Sequence, residues 1–135
     1  MRKLKLGDVF AEKIIFSQTD VNKFAEITGD NNPIHIDKEY AQKTPFGKRI
    51  VHGFLAGAVF SKVFGTQWPG EGTIYLFQDM IFKAPVFVDQ NYTARFKIVE
   101  IDEIKHRGTI ECILEGTDGK VAITGVAKLQ HGLRF

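Results

Sequence analysis

The apolar positions change period twice along the chain. Asp8 to Phe16 ends in Ile14, Ile15 and Phe16 and reads as a first strand. Ser17 then stands where a helix N-cap would, with Asp20 three residues on completing a capping box, its carboxylate in the place of the usual Glu or Gln. Val21, Phe24, Ala25 and Thr28 follow at helical spacing, which predicts a helix over 19–28 that Gly29 stops. Asn31, Asn32 and Pro33 form a turn cluster, because Pro33 lacks an amide hydrogen and holds Asn32 extended. Asp37 is placed to cap a short helix through Tyr40 and Ala41 that ends before Pro45.

The longest apolar run is His52 to Gly65, where Phe54, Leu55, Val59, Phe60, Val63 and Phe64 interleave with Gly53, Ala56, Gly57 and Ala58. Apolar residues fall on nearly every side of a helix drawn through it, so that helix is expected to be buried all round. Its glycines lower helix propensity and imply that something approaches the backbone closely. Beyond Gly72 the period becomes two. Segments 73–87, 91–101, 109–115 and 120–129 are rich in β-branched and aromatic residues, and Thr93, Arg95 and Lys97 alternate with Ala94, Phe96 and Ile98. Thr117-Asp118-Gly119 is a hairpin turn, and short turns between successive strands imply an antiparallel sheet. The expected architecture is α+β: one domain over 1–135, with a long buried helix wrapped by a strongly curved antiparallel sheet.

Composition narrows the function classes. A chain of 135 residues suits one domain, and 44% hydrophobic with 25% charged residues is a globular profile. A net charge of +2 lacks the basic excess of a nucleic-acid protein, so no nucleic-acid partner is expected. The single cysteine, Cys112, forms no intrachain disulfide and reads as a buried structural thiol. No signal peptide and no membrane-spanning run is evident, so the expected compartment is the cytoplasm, with no membrane partner.

The densest reactive cluster is Gly29-Asp30-Asn31-Asn32-Pro33-Ile34-His35-Ile36-Asp37. A carboxylate and an imidazole five residues apart, across a proline-stiffened turn, can be aimed at one small volume, and histidine exchanges protons near neutral pH. Spacing alone fits equally a turn-capping Asp30 and a core His35. The wider pattern decides more. Phe24 to His35, then Tyr40-Ala41, Ile50-Val51-His52-Gly53, Phe60-Ser61, Ile74-Tyr75-Leu76, Phe82-Lys83-Ala84-Pro85-Val86 and Ala122-Ile123-Thr124-Gly125 closely resemble the MaoC-like (R)-specific enoyl-CoA hydratases, a hot-dog-fold family. Its Gly-Asp-x-Asn-Pro-x-His string is specific, and the likeness spans nearly the whole chain as a single hot-dog unit, similar to the short polyhydroxyalkanoate-pathway hydratases.

That resemblance implies a side-by-side dimer with the active site at its interface. It implies Asp30 and His35 as the catalytic pair, Asn32 holding the turn, Gly53 offering its amide to the thioester oxygen, and Ser61 supporting the pair. An acyl-CoA thioester is the implied substrate, with coenzyme A part of that substrate and no separate cofactor. Phe54, Phe60 and Phe64 are expected to bound the acyl pocket and to favour short chains. His52 is expected to orient the helix start. His35, Asp37 and His52 lack a recognised metal spacing, so no metal is expected. Lys43, Lys48 and Arg49 are either phosphate contacts or solvated charges. Asp79 reads as an ordinary strand carboxylate, and His106 and His131 as surface residues. Other readings of the same chain are a dehydratase of acyl carrier protein or other hydroxyacyl thioesters, a hot-dog thioesterase that releases free thiol, and a non-catalytic acyl-binding subunit.

Overall fold

The computed structural model describes residues 1–135. In chain order its elements are β1 (Val9–Ile15), α1 (Gln18–Thr28), α2 (Pro33–Ile36), α3 (Lys38–Gln42), α4 (Gly53–Thr66), β2 (Ile74–Gln78), β3 (Ile81–Phe82), β4 (Asn91–Asp102), β5 (Arg107–Gly116) and β6 (Val121–Gln130). The strands form one antiparallel sheet in the order β1-β4-β5-β6-β2, with β3 pairing to β6 beyond the end of β2. Irregular register at Tyr75/Phe77, Ile98/Glu100 and Leu114/Glu115 marks where the sheet bends, since extra residues on one strand increase local twist. The resulting curve closes around α4, as the sequence led us to expect.

Local rules account for most boundaries. Ser17 and Asp20 form the reciprocal capping box, with Ser17 Oγ accepting from Asp20 N at 3.0 Å and Asp20 Oδ2 from Ser17 N at 3.0 Å. Gly29 ends α1 at φ 78°, a left-handed conformation that favours glycine, and donates its N–H to Ala25 O. Asp37 caps α3 by accepting from Tyr40 N at 3.0 Å. On β4, Tyr92, Ala94, Phe96 and Ile98 turn inward, and Arg95 and Lys97 face out.

Four expectations are corrected. The segment 73–87 is two strands rather than one. Asp79 lies in the break between them, where its carboxylate accepts from Val126 N at 2.6 Å and its own N–H donates to Val126 O. A side chain thus replaces part of the ladder to β6, which makes Asp79 structural. His131 is buried, because its Nε2 donates to Glu71 O at 2.8 Å and its Nδ1 accepts from Leu133 N at 3.1 Å. His106 is half-buried, 2.8 Å from Phe135 O. Lastly, α4 is covered on most sides but not all. Ala56, Gly57, Val59, Phe60, Val63 and Phe64 are buried, while Phe54, Ala58, Ser61 and Gly65 share an open stripe.

The close approaches foreseen at the α4 glycines are made by the β2–β3 connection. A β-carbon on Gly57 would lie 2.5 Å from Met80 Sδ, and one on Gly53 2.7 Å from Phe82 Cε1. Phe60 and Phe64 sit against Phe96 in edge-to-face contact, with centroids 5.6 and 5.1 Å apart, at the centre of the core. Cys112 is buried beside them in the core, and burial pushes its thiol up to about 12, so it is not a nucleophile at neutral pH. Phe60→Ala is expected to cost about 3–5 kcal/mol, the usual range for a core phenylalanine, read by urea denaturation at fixed protein concentration; a loss under about 1 kcal/mol would remove Phe60 from the core.

Candidate active site

The chain between α1 and α2 presents the two reactive side chains. After the left-handed Gly29, Asp30 N donates to Thr28 Oγ1 at 3.2 Å and Asp30 Oδ1 accepts from Asn32 N at 3.4 Å, an Asx-type turn. Asn32 Oδ1 accepts from Ile34 N at 3.3 Å and so caps α2, where Pro33 fills the first turn without wasting a donor. Asn32 thus bonds to the turn through both its main-chain N–H and its side-chain oxygen. α2 is only four residues long, and it carries His35 inward.

His35 is buried and its ring is fixed by a backbone carbonyl. Its Nδ1 lies 2.8 Å from Ile50 O, and Gln18 Nε2 donates to His35 O at 2.8 Å. A carbonyl oxygen only accepts, so Nδ1 carries the hydrogen and, in the neutral ring, Nε2 presents a bare lone pair. Burial pushes the imidazole below its ordinary value of 6.5, opposed by the bond to Ile50 O, aided by the neighbouring His52 and opposed again by Asp30. The net effect keeps His35 neutral and able to accept a proton. Donor atoms of Asp30, His35 and His52 lie within 4.8 Å of one another. The His35 and His52 rings are stacked, with centroids 3.9 Å apart and planes at 28°.

His52 stands at the N-cap position of α4 but makes no side-chain cap bond to it. Its Nε2 instead reaches Asp30 O at 2.9 Å. Gly53, the first residue of α4, leaves its N–H without an intrahelical acceptor at the positive end of the helix dipole. Asp30, His35 and Gly53 all line one cavity of about 850 Å³, walled by Phe24, Phe54 and Phe82 and edged by Lys83. The absent β-carbon of Gly53 is the seat of the Phe82 ring, which refines the reason for glycine there.

Other anticipated residues lie elsewhere. Phe60 and Phe64 are core residues and do not wall this cavity; of the three phenylalanines only Phe54 does. Ser61 lines a second groove with Gly57, Ala58 and Tyr75, which Phe54 also borders. The structure does not bring Ser61 to Asp30 and His35 within one chain. Lys48 sits over the Phe87 ring at 4.4 Å, Arg49 Nη1 donates to Ile36 O at 3.5 Å, and Lys43 ends α3, none of them lining the cavity. Phe24, Ile50 and Lys83 were not singled out from sequence as parts of the site. A carbonyl that orients a ring has no side-chain pattern to reveal it.

Comparisons with known proteins identify the family of the chain. A family model described as MaoC like domain matches residues 7–118. The chain is 39% identical over 124 residues to 3-hydroxybutyryl-CoA dehydratase of Methylorubrum extorquens, covering 92% of this chain and 78% of that protein. It is also 39% identical over 112 residues to (R)-specific enoyl-CoA hydratase of Aeromonas caviae, covering 83% and 84%. The solved (R)-hydratase of Aeromonas caviae involved in PHA biosynthesis superposes with a TM-score of 0.91 at 36% identity, covering 95% of this chain and 97% of that one. With its specific Asp–His turn, its sheet-wrapped helix and these relatives, the chain belongs to the MaoC-like domain family, as a hydratase/dehydratase built on one hot-dog unit.

Proposed function

We propose that the protein catalyses reversible addition of water to a trans-2-enoyl-CoA, giving the (R)-3-hydroxyacyl-CoA. One observation carries this reading: two proton acceptors, the Asp30 carboxylate and the bare Nε2 of His35, share a cavity with the unpaired amide that opens α4. A water between the two acceptors donates one hydrogen to each, which leaves an oxygen lone pair for the substrate. The conjugated thioester is electrophilic at C3. As the water oxygen bonds to C3, one water O–H bond breaks and its proton passes to Asp30, the principal base. The C2–C3 π electrons move toward the thioester oxygen, and the Gly53 amide and helix dipole stabilise the enolate. Asp30 then returns the proton to C2, so one water is consumed and the base is restored. Dehydration retraces the same steps.

The apolar wall supports a short acyl chain, since Phe54 and Phe82 meet edge-to-face at 6.3 Å where the chain would extend. A homodimer is part of the proposal. The outer edge of β2 is unpaired in the sheet, and Ile74, Tyr75, Leu76 and Phe77 are exposed on it beside the open stripe of α4. An exposed apolar edge strand is a template for pairing, and a two-fold partner would cover strand and stripe together.

Purified protein mixed with crotonyl-CoA is expected to bleach the enoyl-thioester absorbance and to yield the (R)-3-hydroxy product, faster than with long-chain substrates. Asp30→Asn and His35→Ala should each lower kcat by about 10²–10⁴-fold, a typical range for loss of a proton-transfer group, with folding intact by circular dichroism. Near-normal rates in both variants would refute the mechanism.

The pH dependence has a definite sign. Because the folded His35 titrates below the unfolded value of 6.5, kcat/KM should fall, as Nε2 gains a proton, with its midpoint at the lowered folded value. Between those two values the unfolded chain binds a proton that the folded one does not, so the stabilisation from neutral His35 is full above 6.5 and declines as pH drops through this window. Imidazole NMR titration should place the His35 midpoint under 6.5, and a midpoint above it contradicts the assignment. Sedimentation equilibrium should return twice the chain mass of 15.2 kDa; a monomer at micromolar concentration would rule out the dimer.

A further inference from the structure

His52 carries more than the start of α4. Its ring is almost fully enclosed, at 2% exposure, between Phe24 of α1 at 4.8 Å and His35 of α2 at 3.9 Å. Nε2 lies 2.9 Å from the main-chain oxygen of Asp30, which only accepts, so the hydrogen resides on Nε2. Nδ1 is then a bare acceptor, buried and without a partner. An unmet buried polar atom is uncommon and calls for a reason. A phenylalanine would fill the same slot without that loss, but it would offer nothing to Asp30 O.

We infer that His52 is a positioning residue for both members of the catalytic pair: its Nε2–H holds the backbone of Asp30 while its ring face holds His35. The inference rests on the proposed roles of Asp30 and His35. His52 immediately precedes Gly53, so consecutive residues carry the clamp on the water-activating groups and the amide that receives enolate charge. Residues 29–32, which present Asp30, are exposed and otherwise held by bonds of short sequence range. His52 supplies their long-range tie to α4. In this way the distance between the bound water and the enolate site is set by the start of one helix, and does not follow the motions of a surface turn.

Two variants separate the clamp from simple filling. His52→Phe keeps a ring between Phe24 and His35 but removes the N–H, whereas His52→Gln can place an amide N–H near the position of Nε2. Misplacing a reacting group by about 1 Å can cost about 10²-fold in rate, so His52→Phe should lower kcat by about 10–100-fold with KM changed less than about threefold. His52→Gln should retain several-fold more of kcat than His52→Phe. A Phe variant with unaltered kcat, or Gln and Phe variants impaired equally, would overturn the inference. The imidazole ¹⁵N spectrum of the wild type gives a readout that needs no turnover. It should show His52 as the Nε2–H tautomer and His35 as Nδ1–H, and an Nδ1–H form of His52 would also overturn it. A wild type that shows these tautomers but hydrates no enoyl thioester keeps the clamp and removes the activity reading, so the two failures are distinct.

Discussion

A helix with apolar side chains on most of its sides must be covered on most of them, and that requirement organises this molecule. Burial of Val59, Phe60, Val63 and Phe64 removes most of α4 from water, and only a sheet bent around the helix can provide it. The bends fall where register slips in β2, β4 and β5, and the glycines of α4 admit Met80 and Phe82 against the helix backbone. What the sheet leaves open is an apolar stripe beside an unpaired strand edge, which is why the dimer proposal follows from the same constraint as the fold.

The site is a consequence of how that helix begins. A wrapped helix still has a first turn whose amides lack acceptors, and the sheet cannot satisfy them. The segment before α4 is pinned by Val51 N to Val86 O at 2.7 Å and by Ile50 N to Ile34 O at 3.3 Å. Pinning it there turns the Ile50 carbonyl toward His35 and fixes which ring nitrogen is free. One backbone strut therefore sets the tautomer of His35, the second proposed acceptor on the water, and burial favours its neutral form. The Asp30 turn, His35 and the Gly53 amide come together because all three depend on the start of α4.

The chemistry asks little more of the fold than this. Two acceptors on one water and one donor for the enolate suffice for hydration, and no group of unusual reactivity is needed. Cys112, the single thiol, is removed from chemistry by its place in the core. Cavity walls from Phe24, Phe54 and Phe82 offer the acyl group of the proposed substrate an apolar surface.

Much was legible along the chain because it depends on near neighbours. Caps at Ser17, Gly29 and Asp37, the period-two strands, the apolar run of α4 and the Asp30–His35 string all express local stereochemistry or short spacing, which a linear reading captures. The sequence could not tell core phenylalanines from cavity phenylalanines: Phe54, Phe60 and Phe64 sit on one helix, and their fates differ only by what packs against each face. Nor could it show that Asp79 substitutes for a strand rung, that His131 is buried, or that the His52 ring reaches the main-chain oxygen of Asp30. Those outcomes are decided by partners tens of residues away, often by a main-chain carbonyl, and a carbonyl is the same at every position until the chain has folded around it.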